Sequence, residues 1–242
     1  MKEITIIPDV HGRPFWRPAV QAASPGSKIV FLGDYLDPYP WEGISPEEST
    51  GMLQEIIDLK KEHPDKVVLL LGNHDMGYLE PDINSCRRDH FGALKNRRIL
   101  EDNLNLFQIA HVESIGSVPV LFTHAGVNET WLARHRDVLG KGPFDPEVLN
   151  TMLHDPAKRN VLYTILAEAV YMRGGDFASG SPIWADIDEY LAGEWLLPGY
   201  IHLFGHSMHE GGPAPAGNNG ICLDCLHAFL LKDDPLTLSM LK

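Results

Sequence analysis

Five times along this chain a short apolar run breaks off into a glycine-containing turn that carries side chains able to bind metal. The runs are Ile4 to Ile7, Lys28 to Leu32, Lys66 to Leu71, Pro119 to Thr123 and Tyr200 to Phe204. The turns that follow are Asp9-Val10-His11-Gly12, Gly33-Asp34-Tyr35-Leu36-Asp37, Gly72-Asn73-His74-Asp75, Thr123-His124-Ala125-Gly126 and Gly205-His206-Ser207. Short β-rich runs closed by turn residues read as buried strands. In an open α/β sheet the carboxyl ends of parallel strands share one edge, so turns placed there can converge on one crevice. The glycines allow the unusual backbone angles that such tight turns need.

The residue types point to metal chemistry. Carboxylate, imidazole and amide oxygen suit manganese, iron, zinc and similar ions better than a thiolate set does. In Asp9-x-His11 the two side chains stand two apart on an extended segment, so they face the same side and can grip one ion. Asp34 offers a carboxylate able to bridge two ions, and Asn73, His124 and His206 can complete a second site. Taken singly, an Asp-x-His or a Gly-His pair is ordinary turn chemistry. The conjunction of five such turns, each directly after an apolar run, sets this chain apart.

Other segments supply the frame. Two more β-rich runs, Ile221 to Asp224 and Leu226 to Leu231, read as strands. Ser45 as N-cap, Pro46 in the first turn and Glu48 closing a capping box predict a helix that stops near His63-Pro64. Strand, helix, strand implies a right-handed crossover and parallel pairing. Asp145-Pro146 and Asp155-Pro156 each look like an N-cap followed by a first-turn proline. The second predicts a helix running through Leu162, Ile165, Ala169 and Met172. Residues 128–198 are read as a helical insertion within a single domain spanning 1–242, and Gly211 to Gly217 as a surface loop.

Charge and cysteine content narrow the function. With 20 Lys+Arg against 33 Asp+Glu the formal charge is −13, which repels nucleic-acid phosphates at long range and argues against general nucleic-acid binding. A phosphorylated substrate needs only local positive charge, which bound cations can supply. Cys86, Cys222 and Cys225 do not make a disulfide framework, so a reducing compartment, the cytoplasm, is expected. The start of the sequence lacks the pattern of a secretory signal, and no apolar stretch reaches the ~18 residues of a bilayer span, so no membrane association is expected.

The order and content of the turns resemble those of the calcineurin-like metallophosphoesterases. The resemblance is closer to the phosphoprotein-phosphatase branch, with its bacterial and phage members and its diadenosine tetraphosphatases. That branch carries an Asp-x-His-Gly turn, a Gly-Asp-x-x-Asp turn, Gly-Asn-His-Asp/Glu, a single His turn and a late Gly-His. Ser181-Pro182-Ile183-Trp184-Ala185-Asp186 is similar to its Trp-containing segment, and Ile221-Cys222-Leu223-Asp224 to its penultimate strand. The resemblance implies an α/β fold, a four-layer α-β-β-α sandwich of two mixed sheets flanked by helices. It implies two divalent metal ions: Asp9, His11 and Asp34 on the first, with Asp34 bridging, and Asn73, His124 and His206 on the second. Manganese is the expected ion, with iron, zinc, nickel, cobalt and magnesium as alternatives.

The expected activity is hydrolysis of phosphate monoesters, on a phosphoprotein or a small phosphorylated compound, by a water activated between the two cations. Alternatives are a hydrolase of dinucleoside polyphosphates and a metal-binding scaffold without turnover. His74 is expected to protonate the leaving oxygen or to stabilise charge on it, because adjacent side chains point opposite ways and Asn73 is given to metal. Asp37 is its natural orienting partner, and the resemblance assigns the same pair.

The chain departs from the branch at the phosphate-binding arginines. Members place Arg-Gly after the second Asp turn and an Arg before Gly-Asn-His, where this chain has Pro38-Tyr39 and Leu71. Arg13, Arg87, Arg88 and Arg173 are the candidates to replace them. His209, three residues past His206, is read as a rim residue, and Cys222 and Cys225 as buried thiols.

Overall fold

The structure, a computed structural model, describes residues 2–80 and 87–241. The chain divides into two compact units, residues 1–107 with 226–242, and residues 108–225. The first opens with β1 (Glu3–Ile7), α1 (Trp16–Ala22), β2 (Lys28–Phe31), α2 (Pro46–Glu62), β3 (Val67–Leu70), α3 (Asn73–Leu79), α4 (Ala93–Asp102) and β4 (Phe107–Gln108). The second contains β5 (Ala110–Ile115), β6 (Val118–Thr123), α5 (Glu129–Arg134), α6 (Arg136–Leu139), α7 (Glu147–His154), α8 (Arg159–Leu166), α9 (Ile187–Leu191), β7 (Ile201–Phe204), β8 (Ala214–Ala216) and β9 (Gly220–Cys222). The chain then returns to the first unit as β10 (Phe229–Asp233) and β11 (Leu236–Met240).

Each unit is built on one mixed sheet. The first has strand order β11-β10-β1-β2-β3-β4 and the second β5-β6-β7-β9-β8. β1, β2 and β3 run parallel, with Ile6 opposite Val30 and Val30 opposite Val68, whereas β10 joins β1 antiparallel. In the second unit β6, β7 and β9 are parallel, with antiparallel β5 and β8 at the edges. The parallel strands are the continuous apolar runs of the sequence. Ile4 through Ile7 and Val67 through Leu70 are buried at every position, the pattern of strands covered on both faces. Helices flank both sheets: α1 packs on β1 and α2 on β3, while α7 packs on β5 and α9 on β8.

Local signals account for most of these elements. Ser45 accepts from the Glu48 N–H and Glu48 returns a bond to the Ser45 N–H, so α2 starts on the capping box read in the sequence. It ends at His63. Asp145 accepts from the Glu147 N–H at the start of α7. Buried Asn150 on α7 accepts from the Ile109 N–H and donates to the Ala110 carbonyl, each at 2.8 Å, which pins the helix to β5 without an unpaired polar atom.

Three segments differ from expectation. The helix after Asp155-Pro156 covers only Arg159–Leu166, because the chain folds back beyond it: Ala169 accepts from the Phe177 N–H. Gly175 sits where an added Cβ would lie 1.9 Å from the Ala169 carbonyl oxygen. Met172, expected on a buried helical face, is exposed. The run from Leu226 becomes strand only at Phe229, since Leu226 takes a left-handed φ of 65°. The 211–217 loop carries a short edge strand, β8, whose Pro215 is compatible with an edge position. Strands β4, β5 and β11 were not anticipated. Cys222 and Cys225 are buried thiols, as expected; Cys86 lies outside the described residues.

Gly33 lets the second and third ligand turns pack closely. Its φ is +107°, and a Cβ there would meet the Gly72 nitrogen at 2.5 Å and the Gly72 Cα at 2.9 Å. Backbone cannot swing aside as a side chain can, so Gly33→Ala is expected to cost about 2–4 kcal/mol from strained φ and overlap. A melting temperature lowered by roughly 5–10 °C would register that loss; an unchanged one would show that the two turns tolerate separation.

Candidate metal centre

In the first unit the turns after β1, β2 and β3 are laced together by backbone and carboxylate bonds. The His11 N–H donates to the Asp34 carbonyl at 2.6 Å and the Gly12 N–H to the Tyr35 carbonyl at 2.9 Å, which joins the first turn to the second. Asp75 joins the second to the third. Its carboxylate accepts from the N–H groups of Asp34, Tyr35 and Gly72 at 2.8, 3.1 and 2.9 Å. Asp34 answers by accepting the His74 N–H at 2.9 Å through Oδ1.

This lacing gathers the predicted ligands. Asp9, His11, Asp34, Asn73 and His74 are all buried. Ring nitrogens of His11 and His74 and a carboxylate oxygen of Asp34 lie within 4.8 Å of one another. Five non-glycine residues among those described have positive φ: His11, Asp34, Asp37, His206 and Leu226. Four of the five sit in the candidate turns, and strained backbone of this kind persists where surrounding bonds over-determine it.

The donors fit a cation. His11 Nδ1 donates to the Leu36 carbonyl at 2.7 Å, and burial, only partly opposed by the Asp34 carboxylate, lowers the imidazole pKa to about 3. The ring is therefore neutral, with its lone pair on Nε2, and Nε2 faces the Asp34 Oδ2 at 3.5 Å. Two electron-pair donors meet there with no proton between them. Ligands about 2.0–2.2 Å from a shared ion stand at roughly this separation. The carbonyl bond to Nδ1 is the usual support for a metal-bound histidine. Burial and the Asp34 carboxylate push the Asp75 carboxyl well above its ordinary range, against the pull of its three N–H donors. A divalent cation relieves such a concentration of buried negative charge.

His74 sits in a second network. Its Nδ1 bonds the Asp37 Oδ2 at 3.0 Å, while the Tyr78 hydroxyl donates to Asp37 Oδ1 at 2.5 Å and the Asp89 N–H reaches the same oxygen at 3.1 Å. Burial pulls the His74 imidazole down, but the Asp34 and Asp37 carboxylates outweigh it and hold the pKa above its ordinary value.

In the second unit His124 and His206 meet through Nε2 and Nδ1 at 3.2 Å, both buried. The Gly205 N–H donates to the His124 carbonyl at 2.7 Å, fixing the late turn against the earlier one. Trp184, from the Trp-containing segment, stands edge-on to His206 with ring centroids 5.7 Å apart. His209 is partly exposed, with Nδ1 bonded to the Ser207 carbonyl at 2.7 Å.

The four candidate arginines are engaged in holding turns. Arg13 pairs with Glu42 at 2.6 Å and donates to the Asp9 carbonyl. Arg87 donates twice to the Asp37 carbonyl and Arg88 to the Gly77 carbonyl. Arg173 pairs with Asp186 and donates to the Ser207 hydroxyl and the His206 carbonyl. Sequence reasoning gave no role to Asp75 and overlooked Tyr78. Asp75, at the third position of the helix, accepts the N–H of the N-cap Gly72, and Tyr78 lies one helical turn after His74; both were accessible had residues 73–79 been read as a helix.

Residues 2–209 match the family model of the calcineurin-like phosphoesterases. The chain belongs to that family. As a calcineurin-like phosphoesterase it is a phosphoester hydrolase. A sequence comparison with curated proteins finds no match. Among solved structures, the fold is similar to that of a cold-active protein tyrosine phosphatase, with a TM-score of 0.55 and 16% identity over 100% of this chain and 79% of that one. It is similar to the same degree, TM-score 0.55 and 16% identity over 99% and 79%, to a protein serine/threonine phosphatase from Saccharomyces cerevisiae. No helix among the described residues is long and apolar enough to cross a membrane.

Asp75→Asn tests the lacing. An amide has one acceptor oxygen, so at least one of the three N–H groups would lose its partner inside the protein, at a cost of about 1–3 kcal/mol per orphaned group. A lower denaturation midpoint together with weaker divalent-metal binding is the expected result; unchanged metal affinity would show that Asp75 does not hold the ligand turns in place.

Proposed function

We propose that this phosphoesterase cleaves phosphate monoesters, of a phosphoprotein or a small phosphorylated compound, using two divalent cations, with manganese the expected ion. By the family pattern, Asp9, His11 and Asp34 hold one cation and Asn73, His124 and His206 the other, with Asp34 shared. When bound, the cations would supply a nucleophilic water at neutral pH and positive charge for the phosphoryl oxygens. The chain's own residues do the rest. His11 is kept neutral and aimed by Leu36, and Asp34 is oriented by the His74 N–H. Asp37 accepts from His74 Nδ1, which leaves Nε2 to carry the proton delivered to the leaving oxygen.

The observation that carries the monoester reading is the imidazole of His74, bonded through Nδ1 to the Asp37 carboxylate, with the Asp34 and Asp37 carboxylates raising its pKa above the ordinary value. An alkoxide is a poor leaving group and needs that proton, whereas a phosphate leaving from an anhydride needs it far less. Tyr78 and the Asp89 N–H hold Asp37 in orientation by bonding its other oxygen.

Asp34→Asn should lower kcat/KM on p-nitrophenyl phosphate by about 10³-fold or more, since the bridging carboxylate is lost while the Oδ1 acceptor for the His74 N–H is kept. The assay is run with added manganese on protein purified without chelator, after elemental analysis. Parallel turnover of a phosphopeptide and diadenosine tetraphosphate completes the panel. Cleavage of the dinucleotide alone would replace the monoester reading with the anhydride one, and a metal-loaded protein inert on the whole panel would mark a binding scaffold.

A further inference from the structure

The three most exposed large apolar side chains among the described residues are Phe91, which is fully exposed, Trp41 at 77% and Leu94 at 76%. Phe91 lines a cavity of about 330 Å³ in the first unit, whose other apolar walls are Leu36, Pro38, Pro40 and Ile44. Trp41 follows Pro40 directly in the chain, and Leu94 comes three residues after Phe91, at the start of α4. Each of these side chains costs hydrophobic free energy while it stays in water. Exposed apolar surface gathered around a hollow marks a place where another molecule docks.

The surroundings of the hollow are fixed before any partner arrives. The Arg87 guanidinium, which also lines the cavity, lies 3.7 Å from the centroid of the Tyr39 ring. Tyr39 is in turn stacked on Trp41, with centroids 4.5 Å apart. Two of the Arg87 nitrogens donate to the Asp37 carbonyl oxygen. Asp89 accepts from the N–H groups of Phe91 and Gly92, which fixes the backbone that carries Phe91. A preformed apolar hollow suits an anchoring side chain, because little ordering is left to be done on binding.

Charge sets the kind of partner. Residues 87–98 contain Arg87, Arg88, Lys95, Arg97 and Arg98 against the single acid Asp89, in a chain whose formal charge is −13. Of the five, Arg97 pairs with Glu101. Arg87 and Arg88 donate to carbonyl oxygens, so those bonds do not cancel their charge. Lys95 and Arg98 are exposed. The acids of the cavity wall are already engaged, Asp37 by His74 and Tyr78, and Asp89 by the two N–H groups it caps.

We propose that this surface docks an acidic polypeptide segment, which places one bulky apolar side chain in the cavity and its carboxylates against the basic side chains of 87–98. The assignment concerns binding alone and holds whatever ester the metal centre cleaves. Two other occupants fit less well. A two-fold dimer would set the patch against itself and bring like charges together. An anionic lipid surface is too broad to fill a hollow, and it would repel a molecule of net charge −13. A short acidic segment meets mainly the charges within a Debye length, about 8 Å at physiological salt.

The test pans the protein as purified against a phage-displayed library of random dodecapeptides. Enriched sequences are expected to combine several acids with a Leu, Phe, Tyr or Trp. The commonest is synthesised with a fluorescent label and titrated by polarisation against wild type, Phe91→Ser and Arg88→Glu, with circular dichroism as the control for folding. Phe91 is exposed, so its loss leaves the core untouched. Each variant should bind about tenfold more weakly, and wild-type affinity should fall as salt rises. Should Arg88→Glu not fold, Arg98→Glu must weaken the peptide in its place. No enrichment, enriched peptides without acids, or undiminished binding by either variant overturns the proposal. Flotation with phosphatidylserine-containing vesicles and sedimentation velocity without peptide complete the test. Vesicle binding or self-association that Phe91→Ser abolishes would give the surface to a membrane or to a second copy, and would equally overturn it.

Discussion

A single carboxylate holds the first unit's site in register. Asp75 collects three backbone N–H groups from two different turns. Each of those turns follows a parallel strand and would otherwise expose unpaired donors at the sheet edge. Once collected, they set where Asp34 lies, and Asp34 in turn accepts the N–H of the next turn. Ligand geometry here is thus a product of backbone accounting, in which every buried donor must find an acceptor. The left-handed φ values of His11, Asp34 and Asp37 are strain sustained by these bonds.

The same lacing concentrates like charge. Asp9, Asp34, Asp37 and Asp75 are all buried, and their coexistence is costly unless positive charge answers it. The chain answers part of it itself: His74 is held above its ordinary pKa, and Arg87 reaches the Asp37 carbonyl. His11 gives no such help, because burial keeps it neutral. That division is informative. One histidine is prepared to hold a proton and the other to offer a lone pair, although they lie edge to face with centroids 4.9 Å apart.

Much of this was legible from residues alone, for a physical reason. A turn carrying Gly, Asp and His after an apolar run is a local signal, and so is the capping box that starts α2. The fold class, two mixed sheets flanked by helices, came from the family resemblance those turns carry, and the parallel strands they delimit agree with it. What escaped was either long-range or poorly patterned. Arg87 reaches a carbonyl 50 positions away in sequence, a bond that no spacing rule anticipates, so its role in holding the Asp37 turn could not be read. β5 escaped because its buried ends enclose a polar centre, and β11 because it is exposed along most of its length. The helix after Asp155 was overextended because apolar spacing continues past Leu166, while a fold-back through Gly175 breaks it.

The path of the chain also sets an order of assembly. β1 lies in the interior of its sheet, yet one of its two neighbours is β10, with Ile4 opposite Leu231. The strand that leads into Asp9 and His11 therefore keeps an open edge until the last strands of the sheet have been made. Contacts of such sequence separation form late and slow the search for the native state. During synthesis an apolar, unpaired edge next to the metal-ligating turn would be exposed to other chains. Folding of this enzyme in the cell is then governed less by the locally coded turns than by the arrival of a strand that contributes nothing to the chemistry.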